Sequence, residues 1–218
     1  MRMETGNQFC AAAETGDLRQ LQALLAGDPE LIHSRVDGAT ALHFAALRGR
    51  LDVIDWLLSQ GADIDALDEE FGSPPIAWAN ETGKMRAVDL LDLRGANYSL
   101  RHAAAIGNLE QLRNKIADNP DRVNQPDGYG TPLHAAILWG QYEAARCLLD
   151  HGADLMAETM DGLTAPELVA EQAANPKRRT PIISDAREAE IRRESLRISE
   201  LLRHHKTECA LTMAAAAR

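Results

Sequence analysis

The sequence predicts an all-α solenoid of about six stacked helix pairs joined by β-hairpin-like loops. Three observations carry that prediction. First, a segment recurs: Asp37-Gly-Ala-Thr-Ala-Leu-His-Phe-Ala-Ala is matched by Asp127-Gly-Tyr-Gly-Thr-Pro-Leu-His-Ala-Ala. Second, glycines punctuate the chain at 16, 49, 83, 107 and 140, in steps of 33, 34, 24 and 33 residues. Third, only 4% of the 218 residues are aromatic, while Ala and Leu abound. Such side chains suit close-packed helices better than a β-sandwich. A period in this range marks units that cannot bury their apolar faces alone and close a core by stacking.

The elements follow in order. A leader over 1–7 precedes copies at 8–36, 37–69, 70–100, 101–126 and 127–159. A degenerate copy at 160–206 carries an inserted loop at 174–184, and 207–218 form a tail that is loose or helical and weakly docked. In the strong copies Thr40 and Thr131 stand where a side-chain oxygen caps the first helix, and Pro132 fits its first turn. Ala45, Ala46, Ala135 and Ala136 keep that helix thin. Gly49 and Gly140 end it, at positions needing positive φ. The second helix carries a stripe at helical spacing, Leu51, Ile54, Leu57 and Leu58, mirrored by Tyr142, Ala145, Leu148 and Leu149. Hairpin tips are expected near Asp68 to Gly72 and Thr159 to Gly162.

A longer period of 91 residues relates His43 to His134 and Gly16 to Gly107, so the chain reads as a duplicated block. Each block opens with a copy lacking the T-P-L-H segment, ending in Gly16 and in Gly107. At the junction Asp92 and Lys115 enter the apolar stripes of adjacent copies, a placement that predicts either an ion pair or two rotated, exposed side chains. In the last copy Pro166 and Glu167 stand where Leu and His are expected. Asn-Pro, Lys-Arg-Arg and Thr-Pro break the following loop. Asp185 with Glu188 predicts a capping box for a final helix ending near His205, with Arg and Glu alternating on its outer face.

The motif at 131–136, T-P-L-H-A-A, and its 33-residue spacing resemble the ankyrin repeat. The resemblance covers 8–160 well and reaches about 205 through the degenerate copy. It implies that His43 and His134, with Thr40 and Thr131, are structural, bonding within and between repeats. It also implies binding of a protein partner, without catalysis, in a concave groove of loop tips and first helices. Candidate partner-binding residues are Arg48, Phe71, Trp78, Tyr129, Leu138 and Trp139. Asp37, Glu69 and Glu70 join them at tips, and Phe44, Leu47, Glu81 and Thr82 on first helices. Phe44 and Trp78 alternatively pack between repeats. A second reading is a regulatory or inhibitory subunit of a separately encoded enzyme, acting through the groove or the 174–184 loop, where Arg178-Arg-Thr-Pro offers a basic or phosphorylatable handle.

Net charge of -10 argues against a general nucleic-acid binder and favours a basic or neutral protein partner. No segment approaches the ~18 apolar residues of a membrane span. Cys10, Cys147 and Cys209 form no C-x-x-C pair, which predicts a reducing, cytoplasmic setting. No nucleotide-binding, H-E-x-x-H or G-x-S-x-G pattern occurs, so no cofactor, metal or catalytic residue is expected. Asp63 and Asp154 are expected to accept backbone N–H bonds, and the adjacent His204 and His205 point apart on a helix.

Overall fold

A computed structural model describes residues 2–178, 183 and 185–216, with side chains described at 4–178, 183 and 185–208. Among these residues are twelve α-helices, three 3-10 segments and one two-stranded sheet. The contacts divide them into two compact units, meeting in sequence between Tyr98 and Ser99.

The first unit contains α1 (Arg2–Thr15), α2 (Leu18–Gly27), α3 (Ala41–Arg48), α4 (Leu51–Ser59), α5 (Pro75–Glu81) and α6 (Met85–Leu93). The first helices of successive pairs stack, α1 on α3 and α3 on α5, and α4 packs on α6. Buried alanines at the contact, Ala45, Ala46 and Ala79, let the helices approach. Phe9, Leu21, Leu42, Ile54, Leu57, Ile76 and Leu91 fill the core. Each such side chain contributes roughly 1.5–3 kcal/mol relative to exposure. The strands β1 (Arg35–Val36) and β2 (Ala39–Thr40) pair antiparallel, joined by a two-residue turn. Asp37 (φ 49) and Gly38 (φ 77) both take positive φ, the requirement of a tight hairpin turn.

The second unit contains α7 (Leu100–Ile106), α8 (Leu109–Asp118), α9 (Pro132–Leu138), α10 (Tyr142–Asp150), α11 (Ala165–Ala174) and α12 (Asp185–Ala216). Here α9 lies between α7 and α11, while α10 lies between α8 and α12. Leu112, Leu133, Ile137, Leu148, Leu168, Ile191 and Ile198 are its core. The 91-residue period is visible in detail. Asp17 accepts from Gln20 N–H to cap α2, and Asn108 accepts from Gln111 N–H to cap α8. The 3-10 segments Pro29–His33 and Pro120–Asn124 follow at equivalent places.

Successive pairs are stapled. Arg50 Nε donates to the Glu14 carbonyl at 3.0 Å, and Thr82 Oγ1 to the Leu47 carbonyl at 2.9 Å. Gln141 Nε2 donates to the Ala105 carbonyl at 3.1 Å, and Gln172 Nε2 to the Leu138 carbonyl at 2.6 Å. These carbonyls are the ones left without a partner at a helix C-terminus.

Several features differ from the sequence expectations. The residues read as a leader lie almost wholly within α1, which starts at Arg2. The final helix does not stop near His205 but runs to Ala216. Asp185 and Glu188 meet the Lys177 ammonium at 2.5 and 3.3 Å, tying the helix start to the preceding 3-10 segment. Of the Arg178-Arg-Thr-Pro handle, Arg178 pairs with Glu171, and Arg179, Thr180 and Pro181 lie outside the described residues. Beyond those expectations, Asp92 accepts a hydrogen bond from the Tyr98 hydroxyl at 2.7 Å, a contact additional to the ion-pair and exposed alternatives for Asp92 and Lys115.

Candidate functional site

The helix starts are built by one device. Thr40 N–H donates to His43 Nδ1 at 3.2 Å, with Thr40 Oγ1 2.9 Å from the same nitrogen. A nitrogen that accepts from a backbone N–H carries no proton, so the His43 proton sits on Nε2. That N–H donates to the Ser73 carbonyl at 3.0 Å, thirty residues away in the next repeat. Thr131 and His134 reproduce the cap at 3.1 and 2.9 Å. His134 Nε2 is directed to the Ala157 carbonyl but makes no bond of normal length. Burial draws both imidazoles below the usual histidine range, so they stay neutral.

Two further starts use related caps that the sequence hides. Ser99 accepts from His102 N–H, and its hydroxyl lies 3.0 Å from His102 Nδ1. Arg101 Nη2 donates to His102 Nε2 at 3.0 Å, so this imidazole carries its proton on Nδ1, the tautomer opposite to His43. The block start read as lacking the motif therefore keeps its cap, as Ser-x-x-His. In the last repeat Glu167 replaces His: its Oε2 accepts from Thr164 N–H at 2.9 Å and Oγ1 at 2.7 Å, bonds that pull its carboxyl below the ordinary value.

The loop following Ala66 in the first unit is held by Asp68, only 4% exposed. One carboxylate oxygen accepts from Glu70 N–H at 3.0 Å and Phe71 N–H at 2.6 Å. The other accepts from Ser73 N–H at 3.1 Å and Trp78 Nε1 at 3.0 Å. Burial alone would raise this carboxyl; the bonds from Phe71, Trp78 and Ser73 outweigh it and lower it. Trp78, half-buried, stands edge-on to Phe44 at 5.8 Å and to His43 at 5.1 Å. Phe44 and Trp78 thus pack between α3 and α5. Beyond them the Phe71 ring is 69% exposed, with Leu67 exposed in the same loop. Glu69, Glu70 and Asp37 are also exposed. Arg48 is exposed and already paired with Glu14 at 2.6 Å. Glu81, Thr82 and Leu47 are half-buried.

In the second unit Tyr129 is half-buried, and its hydroxyl donates to Asp161 at 3.2 Å. Met160 N–H donates to the Tyr129 carbonyl, which links two loop tips. Met160 itself is 80% exposed, and Met156 is exposed nearby in sequence. Leu138 is half-buried. Trp139 corrects the sequence expectation of an exposed anchor: it is 9% exposed, because α12 crosses the end of α9 and Arg187 donates to the Trp139 carbonyl. Asp63 and Asp154 accept from Asp65 and Met156 N–H groups at 3.0 and 2.8 Å, as loop ties. Among the described residues no three His, Cys, Asp or Glu side chains come together as a metal set. Cys10 and Cys147 are buried free thiols, and burial pushes Cys10 up to about 12, which makes it a poor nucleophile. No helix among the described residues is long and apolar enough to cross a membrane.

Repeat length, Thr/Ser-x-x-His caps and stacked helix pairs agree with the comparisons. The family model for ankyrin repeats in three copies matches residues 9–102, and the single ankyrin repeat model matches 130–160. The chain belongs to the ankyrin-repeat family. This ankyrin-repeat chain is 34% identical to an E3 ubiquitin-protein ligase of Oryza sativa subsp. japonica, over 71% of its own length and 40% of the relative's. A probable E3 ubiquitin-protein ligase of the same plant is 29% identical over 76% of this chain and 42% of that one. A B-cell lymphoma 3 protein homolog of Mus musculus is 36% identical over 53% and 29%. The chain thus spans less than half the length of these relatives. Among solved structures, a complex of a predatory endopeptidase from Bdellovibrio bacteriovorus with an immunity protein contains a chain with the same fold. Its TM-score is 0.54 at 23% identity, covering 80% of this chain and 96% of that one.

Sequence reasoning placed Asp68 and Met160 in loop tips without giving either a role, and passed over Leu67 and Met156. The available signal was apolar residues inside segments otherwise read as polar loops, and an Asp just ahead of an exposed tip.

Proposed function

We propose that this ankyrin-repeat chain is a non-enzymatic scaffold that holds a protein partner on its loop tips and the outer ends of its first helices. One observation carries the reading: large apolar side chains stand in water on loops whose backbone is fixed from beneath. Phe71 and Leu67 do so in the first unit, Met160 and Met156 in the second. Exposed apolar groups on a rigid frame lose little conformational freedom when covered, which favours binding. In the first unit Phe71 is the anchor, Trp78 supports it through their shared partner Asp68, and Arg48 is a further charged candidate contact. In the second, Tyr129 adjoins Met160, Leu138 is a further candidate contact, and buried Trp139 acts as support only. His43 and His134, neutral and occupied in caps, belong to the frame. The net charge of -10 favours a basic or neutral partner surface overall. The free thiols are the ground for placing the chain in a reducing, cytoplasmic compartment.

The test is co-purification from native cell extract with the chain carrying Phe71→Ala and Tyr129→Ala. Loss of a specifically co-purifying protein, with the helical circular dichroism unchanged, is expected. Full retention of that protein by the folded double variant overturns the reading.

A further inference from the structure

The second unit holds a cavity of about 230 Å³ whose walls include Ser99, Arg101, Arg122, Gln125 and Asp127. Among the described residues its two guanidinium groups have no carboxylate partner. Arg101 spends one nitrogen on His102 Nε2, and its Nε is buried without any acceptor. That guanidinium lies along the backbone at Gly128, 3.7 Å from where a Cβ would stand, an ordinary van der Waals contact. Arg122 comes from the 3-10 segment Pro120–Asn124 and is exposed. Asp127 lines the same cavity without pairing to either arginine. In a chain with 33 acidic and 23 basic residues, two arginines sharing a cavity with no ion pair is not what charge balance alone would produce.

The duplication supplies an internal control. Arg101 and Arg122 each stand 91 residues after a residue of the first block, Cys10 and Leu31, and both of those are buried and uncharged. The fold therefore accepts small or apolar groups at these two places and does not require cations. A buried Nε–H without an acceptor among the described residues leaves the Arg101 guanidinium under-satisfied, so an oxygen acceptor brought to this guanidinium is favoured.

We infer that this cavity binds a carboxylate, taken between the Arg101 and Arg122 guanidinium groups. Two guanidiniums with one Asp leave a single positive charge, which matches a monoanion and disfavours a doubly charged phosphate beside Asp127. Planar N–H forks fit a planar carboxylate in two parallel bonds. The carboxylate belongs to a partner chain, as an acidic side chain or as its C-terminus. The inference deepens the protein-binding reading above by naming the chemistry the partner offers here. It is local, and stands beside the preference for basic partners set by the whole-chain charge.

The test needs no partner, so the pocket and the binding reading can fail separately. The Arg101 Nε–H signal of the full chain is followed by NMR at fixed ionic strength. Three probes are titrated: a C-terminally amidated peptide with one Glu, a peptide with a free C-terminus and no acidic side chain, and inorganic phosphate. A saturable shift with either peptide is expected, weakened roughly tenfold in Arg122→Gln, as loss of one charge-assisted pair implies. The stronger of the two peptides identifies the source of the carboxylate. A shift that never saturates, one unchanged in Arg122→Gln, or tighter binding of phosphate than of both peptides overturns the inference.

Discussion

Replacing Asp68 with Asn keeps the side-chain shape and removes the charge that holds the Phe71 loop. The carboxylate accepts four hydrogen bonds, two at each oxygen, from Glu70, Phe71, Ser73 and Trp78. An Asn amide offers one oxygen, so its NH₂ end faces two N–H donors. Bonds to a charged acceptor contribute about 1.5–3 kcal/mol each. The amide is expected to turn its NH₂ toward Glu70 and Phe71, both in an exposed loop where water can take over. The net loss is then about 3 kcal/mol, nearer one buried bond than two. The assay is urea unfolding of both proteins, read by far-ultraviolet circular dichroism at several pH values. Asp68 has a lowered carboxyl pKa in the folded state. Its contribution is therefore complete above the unfolded value of about 3.9 and is lost as pH falls through the folded value. The gap between wild type and Asp68→Asn should be constant near neutrality and shrink in acid below that unfolded value. A gap under about 0.5 kcal/mol at neutral pH, or one that does not change in acid, refutes the reasoning.

Three other outcomes follow from the same geometry. His43→Ala should cost about 1 kcal/mol more than His134→Ala in urea unfolding, because only His43 completes a bond from Nε2 to the next repeat. Both histidines have lowered folded values, so their contribution is complete above the ordinary value near 6.5 and falls as pH drops below it. Acid midpoints of the two Ala variants should accordingly be less steep than that of the wild type. Gly140→Ala adds a Cβ 3.0 Å from the Ile191 Cα at φ 63, whereas Gly61→Ala at φ 89 meets nothing within 4 Å. Both incur the left-handed strain of about 1–2 kcal/mol, and only Gly140→Ala adds an overpacking cost of about 1–3 kcal/mol, visible as a lower melting temperature.

What was legible in the sequence is what local chemistry dictates. Thr40, Thr131 and the glycines at 49 and 140 announce helix ends because capping and positive φ act within a few residues. The tips at Asp68 to Gly72 and Thr159 to Gly162 were legible for the same reason. Ser99 was hidden because its copy lacks the T-P-L-H segment, and Glu167 read only as a departure at the His position, although a cap needs no more than a side-chain oxygen and a polar partner three residues on. Trp139 was misplaced because its burial depends on α12, an element that begins 46 residues later and whose path no local pattern encodes. The exposed Phe71 was anticipated as a tip residue. Its rigidity was not, since the four bonds to Asp68 arise from the folded loop and from Trp78 ten residues away.

The claim on which the rest depends is that a partner docks on the loop tips. Site-specific photo-crosslinking in native cell extract tests it, with the photoreactive residue placed at Phe71 or Met160 and, as references, at the exposed Leu93 of α6 or Leu196 of α12. One recurrent protein adduct is expected at the tip positions and none at the helical references. Adducts at Leu93 or Leu196 with none at Phe71 and Met160 contradict it.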